Sequence, residues 1–184
     1  MSLFSFSSIL GFIFSASLGV FTLLRSKNRR VGIFFSLFCF SAATWSFGSY
    51  KFSTTQAKAE ILFWLQIAYV GAILSPVFYY HLTLSLLNLR KKYSSFITYM
   101  PGSIFLIWLF LKRDSFLGNF RFVFNQFYWH DWFADKSILY LIFFIYSWWF
   151  LMGYPFCYVL KEFKSAAGFR RNQLKYFIFG SLIG

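Results

Sequence analysis

The chain has 184 residues, of which 59% are hydrophobic and 12% charged, with a formal net charge of +13. The charged share is about half that of a soluble domain, and a soluble globule of this length has no interior large enough for so much apolar surface. The charges lie in short clusters between long apolar runs, the pattern of a helical membrane bundle.

The first run, Leu3–Leu24, has no Lys or Arg before it and a basic cluster, Arg25–Arg30, after it. That order is wrong for a cleaved signal peptide, and the run exceeds an apolar core of about 7–15 residues, so it reads as an uncleaved span. Gly11, Ser15 and Gly19 recur every fourth residue and form a stripe that lets another helix come close. Packing within the bundle is the preferred use of that stripe, ahead of a homodimer contact. The second span is Val31–Tyr50, ending in TWSFGSY, where Trp45 and Tyr50 suit the membrane interface. A short polar link, Lys51–Lys58, follows.

The third span, Ile61–Leu87, is uncharged over 27 residues and reaches about 40 Å, beyond the hydrocarbon core of about 30 Å. It also holds Gln66, Pro76, His81 and three tyrosines. At 100° per residue, Gln66, Tyr69, Tyr80, His81 and Asn88 fall within an arc of roughly 120°. An unpaired polar group in hydrocarbon costs several kcal/mol, so this face is expected to look into the bundle. Gln66, Tyr69, Tyr80 and His81 are candidate ligand-binding residues, and Pro76, which removes a backbone bond at mid-depth, is a candidate hinge. The competing reading is that the same polar groups bond between helices and only hold the packing together.

Asn88–Lys92 closes the third span with a basic cluster. The fourth span is Tyr93–Leu111, with Pro101–Gly102 bending it or delaying its regular start. In the long loop Lys112–Lys136, Phe120, Phe122 and Phe124 alternate with Arg121, Val123 and Asn125, a period-2 pattern that predicts a strand. A turn at Asn125–Gln126 leads back into FYWHDWF, which suggests a short hairpin or an aromatic cap. Phe124, Tyr128, Trp129 and Trp132 are its candidate functional residues, as an interfacial anchor in preference to a lid. The fifth span is Ser137–Leu160, with Pro155 near its far end as a second candidate hinge. After the loop Lys161–Asn172, a sixth run from about Leu174 stops at Gly184, short of the about 20 residues a span requires. The expectation is one transmembrane domain over 1–184, truncated within its sixth span.

Loop charge sets the orientation. The segments after spans 1, 3 and 5 carry Arg25, Lys27, Arg29, Arg30, Arg90, Lys91, Lys92, Lys161, Lys164, Arg170, Arg171 and Lys175 against one acid, Glu162. The segments after spans 2 and 4 carry six bases and four acids, Glu60, Asp114, Asp131 and Asp135. This bias predicts a membrane protein with its N-terminus outside, the segments after spans 1, 3 and 5 in the cytoplasm and the aromatic hairpin extracytoplasmic. The fold class is therefore an all-α membrane bundle of five complete transmembrane helices and the start of a sixth, with that hairpin between helices 4 and 5.

Several chemistries are excluded. The two histidines, His81 and His130, fall at opposite ends of the bundle, and all five acids lie in loops or at span edges, so no catalytic residues are assigned. His130–Asp131 lacks a third ligand, Cys39 and Cys157 lie in apolar runs, and no glycine-rich phosphate loop is present, so no metal or cofactor is expected. The basic excess faces the lipid bilayer rather than nucleic acid, for which no binding signature exists.

WSFG at Trp45–Gly48, then Glu60, Phe63–Trp64, Ala68–Tyr69, Gly71, Pro76 and His81, resemble the second and third spans of the seven-helix N-terminal sensor region of bacterial histidine kinases. That region also precedes diguanylate cyclase and other outputs. RRNQLKYFIFGSLIG, with Arg170–Arg171, Tyr176, Gly180 and Gly184, resembles the opening of its sixth span. The resemblance implies a sensor of a small or lipophilic ligand, from outside or from the membrane, that shifts helices feeding a downstream cytoplasmic signalling domain. The alternatives are a transporter or channel subunit, which would show mid-membrane charges or an internal repeat, a lipid-acting membrane enzyme, and a membrane fragment without independent function. A homodimer remains a candidate assembly.

Overall fold

Backbone groups in hydrocarbon must bond within their own segment, so apolar runs of this length fold as helices. The computed structural model describes residues 3–89, 94–113, 116, 120–123, 126–129 and 138–183. Its helices are α1 (Leu3–Arg25), α2 (Arg29–Thr54), α3 (Lys58–Leu86) and α4 (Ser94–Leu111), then α5 (Ile138–Phe144), a π-helical stretch Ile145–Gly153, α6 (Tyr154–Ser165) and α7 (Gly168–Ile183). Among the described residues, four helical segments are long and apolar enough to cross a membrane: Leu3–Arg25, Arg29–Thr54, Lys58–Leu86 and Tyr140–Ser165. The apolar part of α4, Phe96–Leu111, is shorter than those four. Between α4 and α5, β1 (Phe120–Val123) pairs antiparallel with β2 (Gln126–Trp129), Phe120 opposite Trp129 and Val123 opposite Gln126. Tyr128 and Trp129 lie in β2, whereas Phe124, Trp132, His130, Asp131 and the basic cluster Arg90–Lys92 fall outside the described residues.

The helices overrun the apolar runs. α2 takes in Arg29, Arg30 and Lys51 and ends only at Thr54. α7 begins at Gly168 rather than near Leu174, so Arg170 and Arg171 are helical and not loop residues. Helical hydrogen bonding is indifferent to whether a side chain suits lipid, and charged side chains reach the interface from helix ends. Asn28 caps α2, its Oδ1 accepting from the Val31 amide at 3.3 Å.

The small-residue stripe of α1 meets α2. Gly19 lies against Cys39 and Phe40, Gly11 against Ser46, and the Ser36 hydroxyl donates to the Gly19 carbonyl at 2.8 Å. The opposite side of α1, including Leu10, Ile13, Phe14 and Phe21, stays exposed and in a membrane faces lipid. α3 is the spine: 17 of its 29 residues are buried, against two of the 23 in α1. It contributes to three apolar layers in succession. The first gathers Leu65, Tyr69 and Ile73 with Phe105 and Leu109 of α4, Phe116, and Tyr140 and Phe143 of α5. The second joins Val77, Tyr80 and Leu84 to Leu151 of the π-helical stretch. The third joins Leu86 to Val159 of α6 and Leu174 of α7.

Pro101 neither delays the start of α4 nor ends it; it sits in the helix interior, seven residues after Ser94. A proline there removes the donor for the carbonyl four residues earlier, which is that of Ile97. The Tyr146 hydroxyl, from the π-helical stretch, donates to that carbonyl.

Candidate functional site

The four polar residues singled out on α3 are all buried, and each has found a partner in another helix or lies against one. Gln66 donates from Nε2 to the Leu109 carbonyl of α4 at 3.2 Å. That carbonyl is in the last turn of α4, where helical carbonyls lack intrahelical donors, so the amide acts as a cap supplied from outside. The Tyr69 and Tyr140 hydroxyls are 3.2 Å apart, and the Tyr69 ring meets Trp45, Phe116 and Tyr140 edge-on. His81 lies between Phe34 of α2 and Tyr99 of α4, each ring 5.1 Å away at an interplanar angle of 19°, with Nε2 2.9 Å from the Thr98 hydroxyl. Tyr80 packs edge-on against His81 and lines a narrow crevice between α3 and α6, bounded also by Leu84, Leu87, Tyr154, Pro155 and Tyr158.

These residues form two groups. Gln66 and Tyr69 belong to the first layer, Tyr80 and His81 to the region of the second, and the 11 residues from Tyr69 to Tyr80 are about 16 Å of helix. They share a face but not one pocket. Pro76 falls between the layers, after Ile73 of the first and before Val77 of the second. Pro155 is in the opening turn of α6, directly after the π-helical stretch, and helices of that kind are short insertions into α-helix. Tyr69→Phe removes one interhelical hydroxyl bond and keeps the ring contacts. It is expected to cost about 1 kcal/mol in an unfolding titration in mixed micelles.

Three further residues matter: Tyr79; Arg170, which the sequence marks only by its charge and in the resemblance; and Asn88, which belongs to the predicted inward arc but is exposed because α3 has ended. Tyr79 donates to the Ser181 hydroxyl of α7 at 3.0 Å and stacks on Phe177 at 5.6 Å. α3 ends with Asn88 in the left-handed region, at φ 56°. The Asn88 amide bonds the Ser85 carbonyl at 3.3 Å and the Leu89 amide bonds that of Leu84 at 2.9 Å, the paired bonds of a Schellman motif. Leu87 takes the Thr83 carbonyl. The carbonyl of Leu86 is left to a side chain 84 residues away: Arg170 Nη2 donates to it at 2.6 Å, while Nη1 donates to Gln173 at 3.1 Å. A local reading places Arg90–Lys92 at the end of α3, and nothing in spacing or periodicity points to Arg170. Among the described residues, no three His, Cys, Asp or Glu side chains cluster to hold a metal ion.

The WSFG segment and its counterparts on α3 form one interface. Trp45 meets Tyr69, Phe47 meets Trp64, and Gly48 abuts the backbone of Ala68. A family model for the N-terminal 7TM region of histidine kinase matches residues 7–184. The chain belongs to this family. No curated protein and no solved structure matches it. With its apolar helices, membership makes the chain a multi-pass membrane protein and a sensor region of the histidine-kinase type, an input rather than a catalytic unit. Of the residues that carry the sequence resemblance, Trp45, Phe47, Gly48, Trp64, Ala68, Tyr69 and Gly71 pack the 7TM region's α2 against α3.

Proposed function

We propose that this 7TM region couples an extracytoplasmic or membrane-derived signal, a small or lipophilic ligand, to a cytoplasmic output such as a histidine kinase. In this reading residues 1–184 form one domain of the bacterial inner membrane with the N-terminus outside. Five spans are complete, α7 opens a sixth, and the hairpin β1–β2 with its aromatic residues lies on the extracytoplasmic side. The observation that carries the proposal is the wiring of α3. One buried helix bonds α4 through Gln66 and His81, α5 through Tyr69 and α7 through Tyr79. A ligand that prefers one arrangement of this helix over another shifts every neighbour with it, which is the differential affinity that signalling requires. Pro76 and Pro155 are the places where the difference is absorbed.

The test uses the full-length protein with Gln66→Leu and His81→Leu introduced separately. Each variant is expected to change the output at least about threefold, with membrane expression unchanged. Unchanged output in both variants counts against a sensing role for this face.

A further inference from the structure

We propose that Arg170 is a positioning residue that couples the end of α3 to the start of α7, so that a rearrangement of the α3 polar face reaches that part of α7 through the guanidinium; this role rests on the sensor reading above. The argument begins with the carbonyls at the end of α3. Backbone amides take those of Thr83, Leu84 and Ser85, and the next in line, that of Leu86, is taken by Arg170. The helix dipole makes this end partially negative, and a charged donor there bonds more strongly than a neutral one. Leu86 is buried, so a carbonyl there that loses its donor carries a desolvation cost.

The guanidinium is held in place from its own side as well. Nη1 is fixed on Gln173, and the neighbouring Arg171 places its guanidinium 5.4 Å from the Phe163 ring of α6. The α6–α7 hairpin, turned at Gly168 with φ 55°, therefore presents Arg170 with a partner on its own helix and its neighbour Arg171 braced against α6. Beneath it Leu86, Val159 and Leu174 close an apolar layer, and further along α7 Phe177 and Ser181 engage Tyr79. A displacement of the end of α3 relative to α7 by about 1 Å breaks a bond of this length. A planar fork with two fixed donors transmits such a displacement, where a flexible ammonium follows it.

Hydrogen exchange of the full-length protein in lipid nanodiscs tests this without a ligand or an output assay. Arg170→Gln is expected to speed exchange of the Leu87, Asn88 and Leu89 amides by at least about tenfold, with Arg170→Lys intermediate. In a Tyr79→Phe background, which removes the other α3–α7 hydrogen bond, Tyr69→Phe is expected to change exchange at the start of α7 when Arg170 is present and to leave it unchanged when Arg170→Gln is added. Exchange within about twofold of wild type at residues 87–89 in both Arg170 variants overturns the proposal. So does an effect of Tyr69→Phe on the start of α7, in the Tyr79→Phe background, that is absent with Arg170 present or persists without it. If Arg170→Gln does not accumulate, the Lys variant carries both comparisons. The two readings fail separately: exchange coupling with unchanged output in the Gln66 and His81 variants sinks the sensor reading alone, and altered output without exchange coupling sinks the role of Arg170 alone.

Discussion

Gly71→Ala is expected to unseat α3 from α2 and to cost about 3 kcal/mol or more. A Cβ at position 71 would lie 2.4 Å from the Ser41 carbonyl oxygen and 2.6 Å from the Trp45 nitrogen. Both are backbone atoms of α2, so no rotamer change relieves the overlap. To reach ordinary contact at 3.4 Å the two helices must part by about 1 Å, and a gap of that size forfeits much of the dispersion energy along the seam. The seam includes the Trp45–Tyr69 and Phe47–Trp64 ring pairs and the Phe34 ring on His81. Gly48, whose added Cβ would lie 2.6 Å from the Ala68 nitrogen, makes the same demand farther along α2. Gly180→Ala is the control, since nothing lies within 4 Å of its Cβ. It is expected to stay within about 0.5 kcal/mol of wild type. Unfolding titrations of the three proteins in mixed micelles make the comparison. Gly71→Ala unfolding at the same point as Gly180→Ala would show that the α2–α3 backbones are not in contact.

The same seam shows what could be read from residues alone. Apolar runs and charge clusters locate α1, α2 and α3 to within a few residues, because lipid leaves a chain so few options. The inward turn of Gln66, Tyr69, Tyr80 and His81 follows from the cost of unpaired polar groups, and all four are buried. Their partition into two layers does not follow, because an arc on a helical wheel discards depth along the axis. Helix ends escape for a different reason. Arg29, Arg30 and Lys51 extend α2 because backbone bonds continue past the hydrocarbon edge. The π-helical stretch Ile145–Gly153 is invisible in IYSWWFLMG, where every residue is compatible with lipid and no period distinguishes one helical winding from another. The Arg170–Leu86 bond spans 84 residues and depends on how a Schellman motif leaves one carbonyl over, which is tertiary information.

Tyr146→Phe is expected to cost about 2 kcal/mol, although it deletes a single oxygen and keeps the ring stacked on Phe150. The reason lies in α4. Pro101 has no N–H, so the Ile97 carbonyl loses its helical donor and takes the Tyr146 hydroxyl instead. Water cannot replace that donor in hydrocarbon, and the carbonyl is left with nothing once the hydroxyl is gone. The explanation makes a second, sharper claim. Pro101→Ala restores an N–H at position 101, four residues after Ile97, and returns the carbonyl to its own helix. In that background Tyr146→Phe is expected to cost no more than about 0.5 kcal/mol, because the hydroxyl has become redundant. A double-mutant cycle measured by unfolding in mixed micelles therefore reports a coupling of about 1.5 kcal/mol between residues on different helices. Additive costs would mean that the hydroxyl serves some group other than the carbonyl freed by Pro101. Coupling would establish that the proline of α4 and the tyrosine of the π-helical stretch act as one unit, tying the winding of that stretch to the one carbonyl α4 cannot satisfy by itself.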